Sequence, residues 1–215
     1  GGDKNIPFDK ESFDAWSKLL PPNRIKKGPR EDNIWGPVGA EGPCGACNEV
    51  YVDKVEVATL VFIEYYSDKN KILKKLSQKG VDVGWGLERI AAAVQKKPTI
   101  YETDLFSPLI SLFRRDLSEK IKRIIADHAR GIVFLISDGV RPSNKEAGYV
   151  LRRLLRRVIA YAHEENICDP PEKLFEEAVR LYSTFPDYKN LDIVGILEIY
   201  RAEYGKFIQS VSGGL

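Results

Sequence analysis

The sequence contains no methionine, only three cysteines in 215 residues, and a net charge of just +2. An odd, small cysteine count argues against a disulfide framework and for a reducing compartment, so a cytoplasmic location is expected. A near-neutral balance excludes a global electrostatic pull on nucleic acid, and any such pull must come from local clustering. No apolar run is long enough to span a bilayer and no signal-peptide pattern is present, so no membrane partner is expected. The chain opens on Gly1-Gly2 and lacks Met, which does not match an intact translation product; a cleaved or excised piece is expected. The length is that of one large domain or two small ones, with ample core.

Within these bounds the chain is organised around Val81-Asp82-Val83-Gly84-Trp85-Gly86-Leu87-Glu88-Arg89-Ile90-Ala91-Ala92-Ala93. A β-branched run carrying two glycines passes directly into a series of good helix formers. Gly84 and Gly86 fall at the strand end, where the lack of a Cβ lets a ligand approach the backbone. Leu87 to Val94 reads as a buried, Ala-rich helix. Arg89 in its first turn is disfavoured by the helix dipole, so an external anion is expected as its partner. Taken by itself, Gly-x-Gly reads as an ordinary strand–helix junction with a surface Arg.

Upstream, Asp9 is placed to cap a short helix that Pro21-Pro22 stops. Residues 32–49 are dense in Gly and Pro yet carry Trp35, Cys44 and Cys47, and an ordered loop lining a pocket is expected. Zinc at Cys44-x-x-Cys47 would need two further ligands from Cys168, His128 and His163, which offer no second paired spacing; two small half-buried residues is the preferred reading, and no metal site is expected. Glu49 to Glu64 alternates as strands with a hairpin at Asp53-Lys54, Ser67 to Asn70 is a turn, and Lys71 to Lys79 is a basic connector. Beyond Thr103 strand signals disappear and helices are expected over 105–113, 118–137, 145–164, 172–182 and 190–211. The fold class is α+β, a mainly antiparallel sheet followed by an all-α bundle, with the boundary at Pro98 to Glu102.

One helix is strongly basic. Ser143-Asn144-Lys145-Glu146 fits a capping box. In the following turns Arg152 stacks with Arg156 and Arg153 with Arg157, at about 3.6 residues per turn, opposite Leu151, Leu154, Leu155 and Val158. Four guanidinium groups without nearby acids suit phosphate oxygens. A solvated face paired to acids of neighbouring helices, with Glu164, Glu165, Glu172, Glu176 and Glu177 as candidates, explains the pattern equally well.

Taken together, these segments resemble the alanyl-tRNA synthetase family, from about Phe13 to the end. Asp32-Asn33-Ile34-Trp35 with Gly42-Pro43-Cys44-Gly45-Ala46-Cys47-Asn48-Glu49 resembles its DNFW…GPCGPCSE block. Asp82-Val83-Gly84-Trp85-Gly86-Leu87-Glu88-Arg89 resembles DTGMGLER, the class II motif 3. Tyr101-Glu102-Thr103-Asp104-Leu105-Phe106 resembles YDTDLF. Ala126-Asp127-His128-Ala129-Arg130, Asp138-Gly139-Val140-Arg141-Pro142-Ser143-Asn144 and Gly148-Tyr149-Val150-Leu151-Arg152-Arg153 resemble ADHIRA, DGVLPSN and GYVLRR.

The resemblance implies an alanine–tRNA ligase using ATP and Mg2+. Residues 1–100 would be the carboxy-terminal part of a class II catalytic domain and residues 101–215 a helical tRNA-recognition domain. Arg89 would be the catalytic contact to the ATP phosphates, with Gly84 and Gly86 letting adenylate lie against the strand. Asp82 would hold the amino group of alanine, with Trp35, Thr59 and Gly84 around it. Asn144 would face the G·U pair of the tRNA(Ala) acceptor stem, with Arg152, Arg153, Arg156 and Arg157 along its backbone. The sequence departs from the family at Thr59, where EIWN has Asn, and at Val83, Trp85 and Ala46. It carries no match to motif 1 or to the motif 2 Arg. The implied alternatives are an internal piece of a ligase, a non-catalytic acceptor-stem module, or a subunit whose catalytic sheet is completed by a second chain or copy.

Overall fold

The computed structural model describes residues 6–165, 167 and 171–212. The chain divides into two compact units, Gly1–Val94 and Gln95–Leu215.

The first unit is an antiparallel meander of four strands in sequence order: β1 (Ile34–Trp35), β2 (Gly42–Val52), β3 (Val55–Ser67) and β4 (Leu73–Trp85). The expected hairpin forms at Asp53 and Lys54, whose φ values of 48° and 70° supply the left-handed pair of a tight two-residue turn. At the next turn the Asp68 Oδ1 accepts from the backbone of Asn70 and Ile72 at 2.9 and 3.0 Å, an Asx arrangement. Asp9 caps α1 (Lys10–Ser17), its Oδ1 accepting from Ser12 N at 2.9 Å. A short α2 (Arg30–Asn33) leads into β1, and α3 (Leu87–Val94) follows β4.

Three sequence expectations are corrected here. The Gly- and Pro-rich block is not a loop, because its second half is the strand β2. Gly45 explains the composition: a Cβ there would stand 1.8 Å from the Phe62 carbonyl oxygen on β3, at the register shift between Cys44 and Gly45. Lys71 to Lys79 is not a connector, since from Leu73 onward it is the first half of β4. That strand is the sheet's edge, and exposed lysines along it are how edges resist pairing with another chain. Finally, α3 forms as expected but none of its residues is buried; Leu87 and Val94 are 51% and 75% exposed.

The second unit is helical: α4 (Ser107–Ser111), α5 (Glu119–Ser137), α6 (Glu146–Glu165), α7 (Lys173–Tyr182) and α8 (Ile193–Ser212). Its core is continuous through Phe106, Leu109, Ile125, Ile132, Leu151, Leu155, Ile159, Phe175 and Tyr200. These positions fall at helical spacing on α5 and α6, which is why the apolar period located both helices. Ser118 caps α5 through Ile121 N. No helix of the described residues is long and apolar enough to cross a membrane.

Candidate functional site

Strand register sorts the sheet residues of the first unit onto two faces. Thr59 pairs with Glu49 on one side and Gly84 on the other; Val61 pairs with Cys47 and Asp82; Ile63 pairs with Gly45 and Gly80, and Gly45 in turn with Trp35. Side chains two apart along a strand share a face, so Trp35, Thr59, Asp82 and Gly84 all lie on the same face. They are not equally close. Thr59, Asp82 and Gly84 occupy the adjacent strands β3 and β4, whereas Trp35 is on the opposite edge, three strand spacings or about 14 Å from β4.

Beside Gly84 three side chains form a hydrogen-bonded chain. The Thr59 hydroxyl donates to Glu56 Oε1 at 2.6 Å, and Arg89 Nη1 donates to Glu56 Oε2 at 3.1 Å and to the Glu56 carbonyl at 3.2 Å. Glu56 thus offsets the unfavourable placement of Arg89 in the first turn of α3, a partner within the chain where an external anion was expected. Arg89 stays 52% exposed and Glu56 31%, so the pair is solvent-screened and open to exchange. Gly86 N donates to the Val57 carbonyl at 3.1 Å, which fixes the start of α3 against β3. At Gly84 no heavy atom lies within 4 Å of where a Cβ would stand. The fold therefore does not require glycine there, and the surface above it is bare. Asp82 is exposed, not enclosed in a dry pocket.

Cys44 and Cys47 are buried free thiols. Burial pushes both up, Cys47 to about 11 with help from Glu49, Glu56 and Asp32, so neither thiol is activated as a nucleophile. Cys47 Sγ instead donates to the Asp32 carbonyl at 3.3 Å. The third thiol, Cys168, lies outside the described residues. Among the described residues no group of three His, Cys, Asp or Glu side chains could hold a metal ion. A groove of about 450 Å³ opens on the other face of the sheet, between α1 and β3–β4, lined by Trp16, Leu60, Phe62 and Val81. It is separated by the sheet from Thr59 and Asp82.

In the second unit the surface centres on α6. The expected capping box is replaced by a different start. The Ser143 hydroxyl accepts from Lys145 N at 3.2 Å and donates to the Lys145 carbonyl at 2.9 Å, while Ser143 N donates to the Gly148 carbonyl at 3.0 Å. Glu146 takes a left-handed φ of 49°. Gly148 is needed for this turn, since a Cβ would meet Ser143 Oγ at 2.3 Å and the Arg141 carbonyl at 2.5 Å. Asn144 is exposed beside it.

The four arginines divide into two pairs. Arg152 and Arg153 form no ion pair with a described residue, and Arg153 lies 5.7 Å from the Tyr149 ring centroid. Arg156 approaches Glu203 of α8 at 3.7 Å, a carboxylate only 3% exposed that Lys206 also holds at 3.1 Å. Arg157 Nη1 lies 3.3 Å from His128 Nε2 on α5. The reading of a patch without nearby acids is thus corrected at Arg156, where an acid of a neighbouring helix does pair, but it is Glu203, forty-seven residues away, and not one of the nearer glutamates. Asp127, beside His128, is held below the usual carboxylate range chiefly by the His128 ring. Its contribution to stability is complete above the unfolded value near 3.8 and is lost as pH falls through the folded one.

Comparison with known proteins gives a consistent result. A family model described as tRNA synthetases class II (A) matches residues 4–215. An alanine–tRNA ligase from Rubrobacter xylanophilus is 38% identical over 198 aligned positions, covering 75% of this chain and 22% of that protein. One from Flavobacterium psychrophilum is 32% identical, covering 98% and 28%. The cytoplasmic alanine–tRNA ligase of Caenorhabditis elegans is 33% identical, covering 100% and 26%. The chain therefore spans about a quarter of the length of these relatives. Its two units, a sheet ending in the Gly84–Arg89 junction and a helical bundle carrying α6, belong to the class II tRNA synthetase family whose similar members are alanine–tRNA ligases.

Proposed function

We propose that the chain serves alanine–tRNA ligation, the ATP-dependent activation of alanine and its transfer to tRNA(Ala). The first unit is the carboxy-terminal part of the catalytic domain and the second recognises the acceptor stem. The observation that carries this reading is the Thr59–Glu56–Arg89 chain standing beside the bare backbone of Gly84. In activation the alanine carboxylate attacks the α-phosphorus and pyrophosphate leaves. The task for protein groups is to place the reactants and neutralise phosphate charge. Arg89 exchanges Glu56 for a phosphate oxygen, Gly84 and Gly86 let the nucleotide lie flat, and Asp82 pairs with the alanine ammonium near Thr59. Trp35, on the far edge of the sheet, contributes to the alanine site only from a distance. Class II synthetases use Mg2+ with ATP. The described residues gather no preformed cage for it, so such an ion would rest mainly on substrate phosphates with one or two carboxylates.

Arg89→Ala is expected to weaken ATP binding roughly tenfold, the worth of a charge-assisted phosphate contact. Calorimetry with ATP tests it; unchanged affinity contradicts the role. A second reading is favoured by the exposure of Asp82, Gly84 and Trp85, which leaves the face open to water. On it the chain binds the acceptor stem and needs another polypeptide, or a second copy, to complete the catalytic sheet. A wild-type chain that binds tRNA but no ATP supports that version.

In the second unit, Asn144 reads the G·U pair while Arg152, Arg153, Arg156 and Arg157 follow the backbone, the division of labour between base and phosphate contacts. Asn144→Ala is expected to bring the affinities for G·U and G·C minihelices together, with non-specific binding nearly intact. Equal weakening for both stems rules out a readout role.

A further inference from the structure

We infer that His128 is a positioning residue for Arg157, a neutral imidazole that parks this guanidinium against α5 and releases it to an RNA phosphate when the ring takes a proton. The inference rests on the reading of α6 as an RNA face.

Donor and acceptor counting assigns the tautomer. Arginine has only donors, so His128 Nε2, 3.3 Å from Arg157 Nη1, must be the bare, accepting nitrogen. The ring proton is then on Nδ1, which faces Asp127 Oδ2 at 3.6 Å. The His128 side chain is 13% exposed, so the ring is held between the two helices. The charged groups at the ring are Asp127 on its own helix and Arg157 from α6. Arg123 and Arg130, also on α5, instead lie over Tyr101 and Phe106 at 5.3 and 4.9 Å. No charged group of α4, α7 or α8 is bonded to the ring among the described residues.

Protonation turns Nε2 into a donor. Two donors of like charge then face each other, and the hydrogen bond that held Arg157 is gone. Arg157 is exposed and next to Arg153 on the same stripe, so its release lets that guanidinium reach a phosphate, and the imidazolium behind it adds one positive charge to the face. Each further phosphate that the protein neutralises steepens the dependence of affinity on salt by about one unit on logarithmic axes.

The test titrates the chain with an acceptor-stem minihelix from about pH 8 to about pH 5.5, the range in which histidine changes charge. The protein has only two histidines, His128 and His163, which makes attribution direct. The wild type and His163→Gln are expected to bind roughly three- to tenfold more tightly at the lower pH, with a steeper salt slope. His128→Gln keeps an acceptor for Arg157 but cannot take the proton, and its affinity is expected to stay flat. Binding that is independent of pH in the wild type, or a pH response that survives His128→Gln, overturns the inference while leaving the RNA face standing. Absence of RNA binding at either pH defeats the RNA face itself. The parking contact is then decided without RNA: imidazole nitrogen NMR should give His128 protonated on Nδ1 and bare on Nε2, and the opposite tautomer overturns it.

Discussion

Arg152→Glu combined with Arg153→Glu is expected to lower affinity for an acceptor-stem minihelix by about 100-fold at moderate salt and to flatten its salt dependence. Two phosphate contacts are removed and two repulsions replace them, each contact being worth roughly a factor of ten under such conditions. This pair is the right one to reverse because neither residue forms an ion pair with a described residue. Helical circular dichroism and melting should therefore stay close to wild type. The same reversal at Arg156 sets a second carboxylate against Glu203, which is 3% exposed. That change is expected to destabilise the second unit by about 1 kcal/mol or more, since Arg156 is 42% exposed and Lys206 still holds Glu203. Affinity measured on Arg156→Glu would mix binding with unfolding. If the double variant at Arg152 and Arg153 binds as well as wild type, α6 is an ordinary solvated face.

Gly45→Ala is expected to cost the first unit about 3 kcal/mol or more. Its Cβ would stand 1.8 Å from the Phe62 carbonyl oxygen and 2.8 Å from the Phe62 carbonyl carbon. Both are backbone atoms, so β2 and β3 must part at the point where their register shifts. Gly84→Ala, which meets nothing within 4 Å, is expected to change stability by less than about 1 kcal/mol. All three tryptophans, Trp16, Trp35 and Trp85, lie in this unit. Urea unfolding followed by tryptophan fluorescence therefore reports on it alone. Equal midpoints for the two variants would contradict the close approach at Gly45.

These two cases mark what the sequence disclosed. Periodic apolar residues located the long helices, and Asp53-Lys54 located the hairpin, because those signals are local. The Gly-Pro density of residues 32–49 was misleading: glycine can mean a loose turn or a backbone pressed against another, and only the β3 partner tells which. The lysines before Gly80 disguised an edge strand as a connector, since edge protection and a charged turn use the same residues. For the candidate sites, the sequence named the residues but not their neighbours. Glu56 under Arg89, Glu203 behind Arg156 and His128 against Arg157 are contacts across 33, 47 and 29 residues, beyond the reach of any spacing rule. Trp35 was grouped with Asp82 by family pattern, and the strand order sets them at opposite edges.

The central claim, that the helical unit reads the acceptor stem of tRNA(Ala), is tested most directly by titrating the chain with minihelices that differ only in a G·U or a G·C pair, at two salt concentrations. The account predicts tighter binding of the G·U stem at both salts, with both affinities falling along similar slopes as salt rises, because backbone contacts are shared and only the pair is read. Equal affinity for the two stems, or binding indifferent to salt, would contradict it.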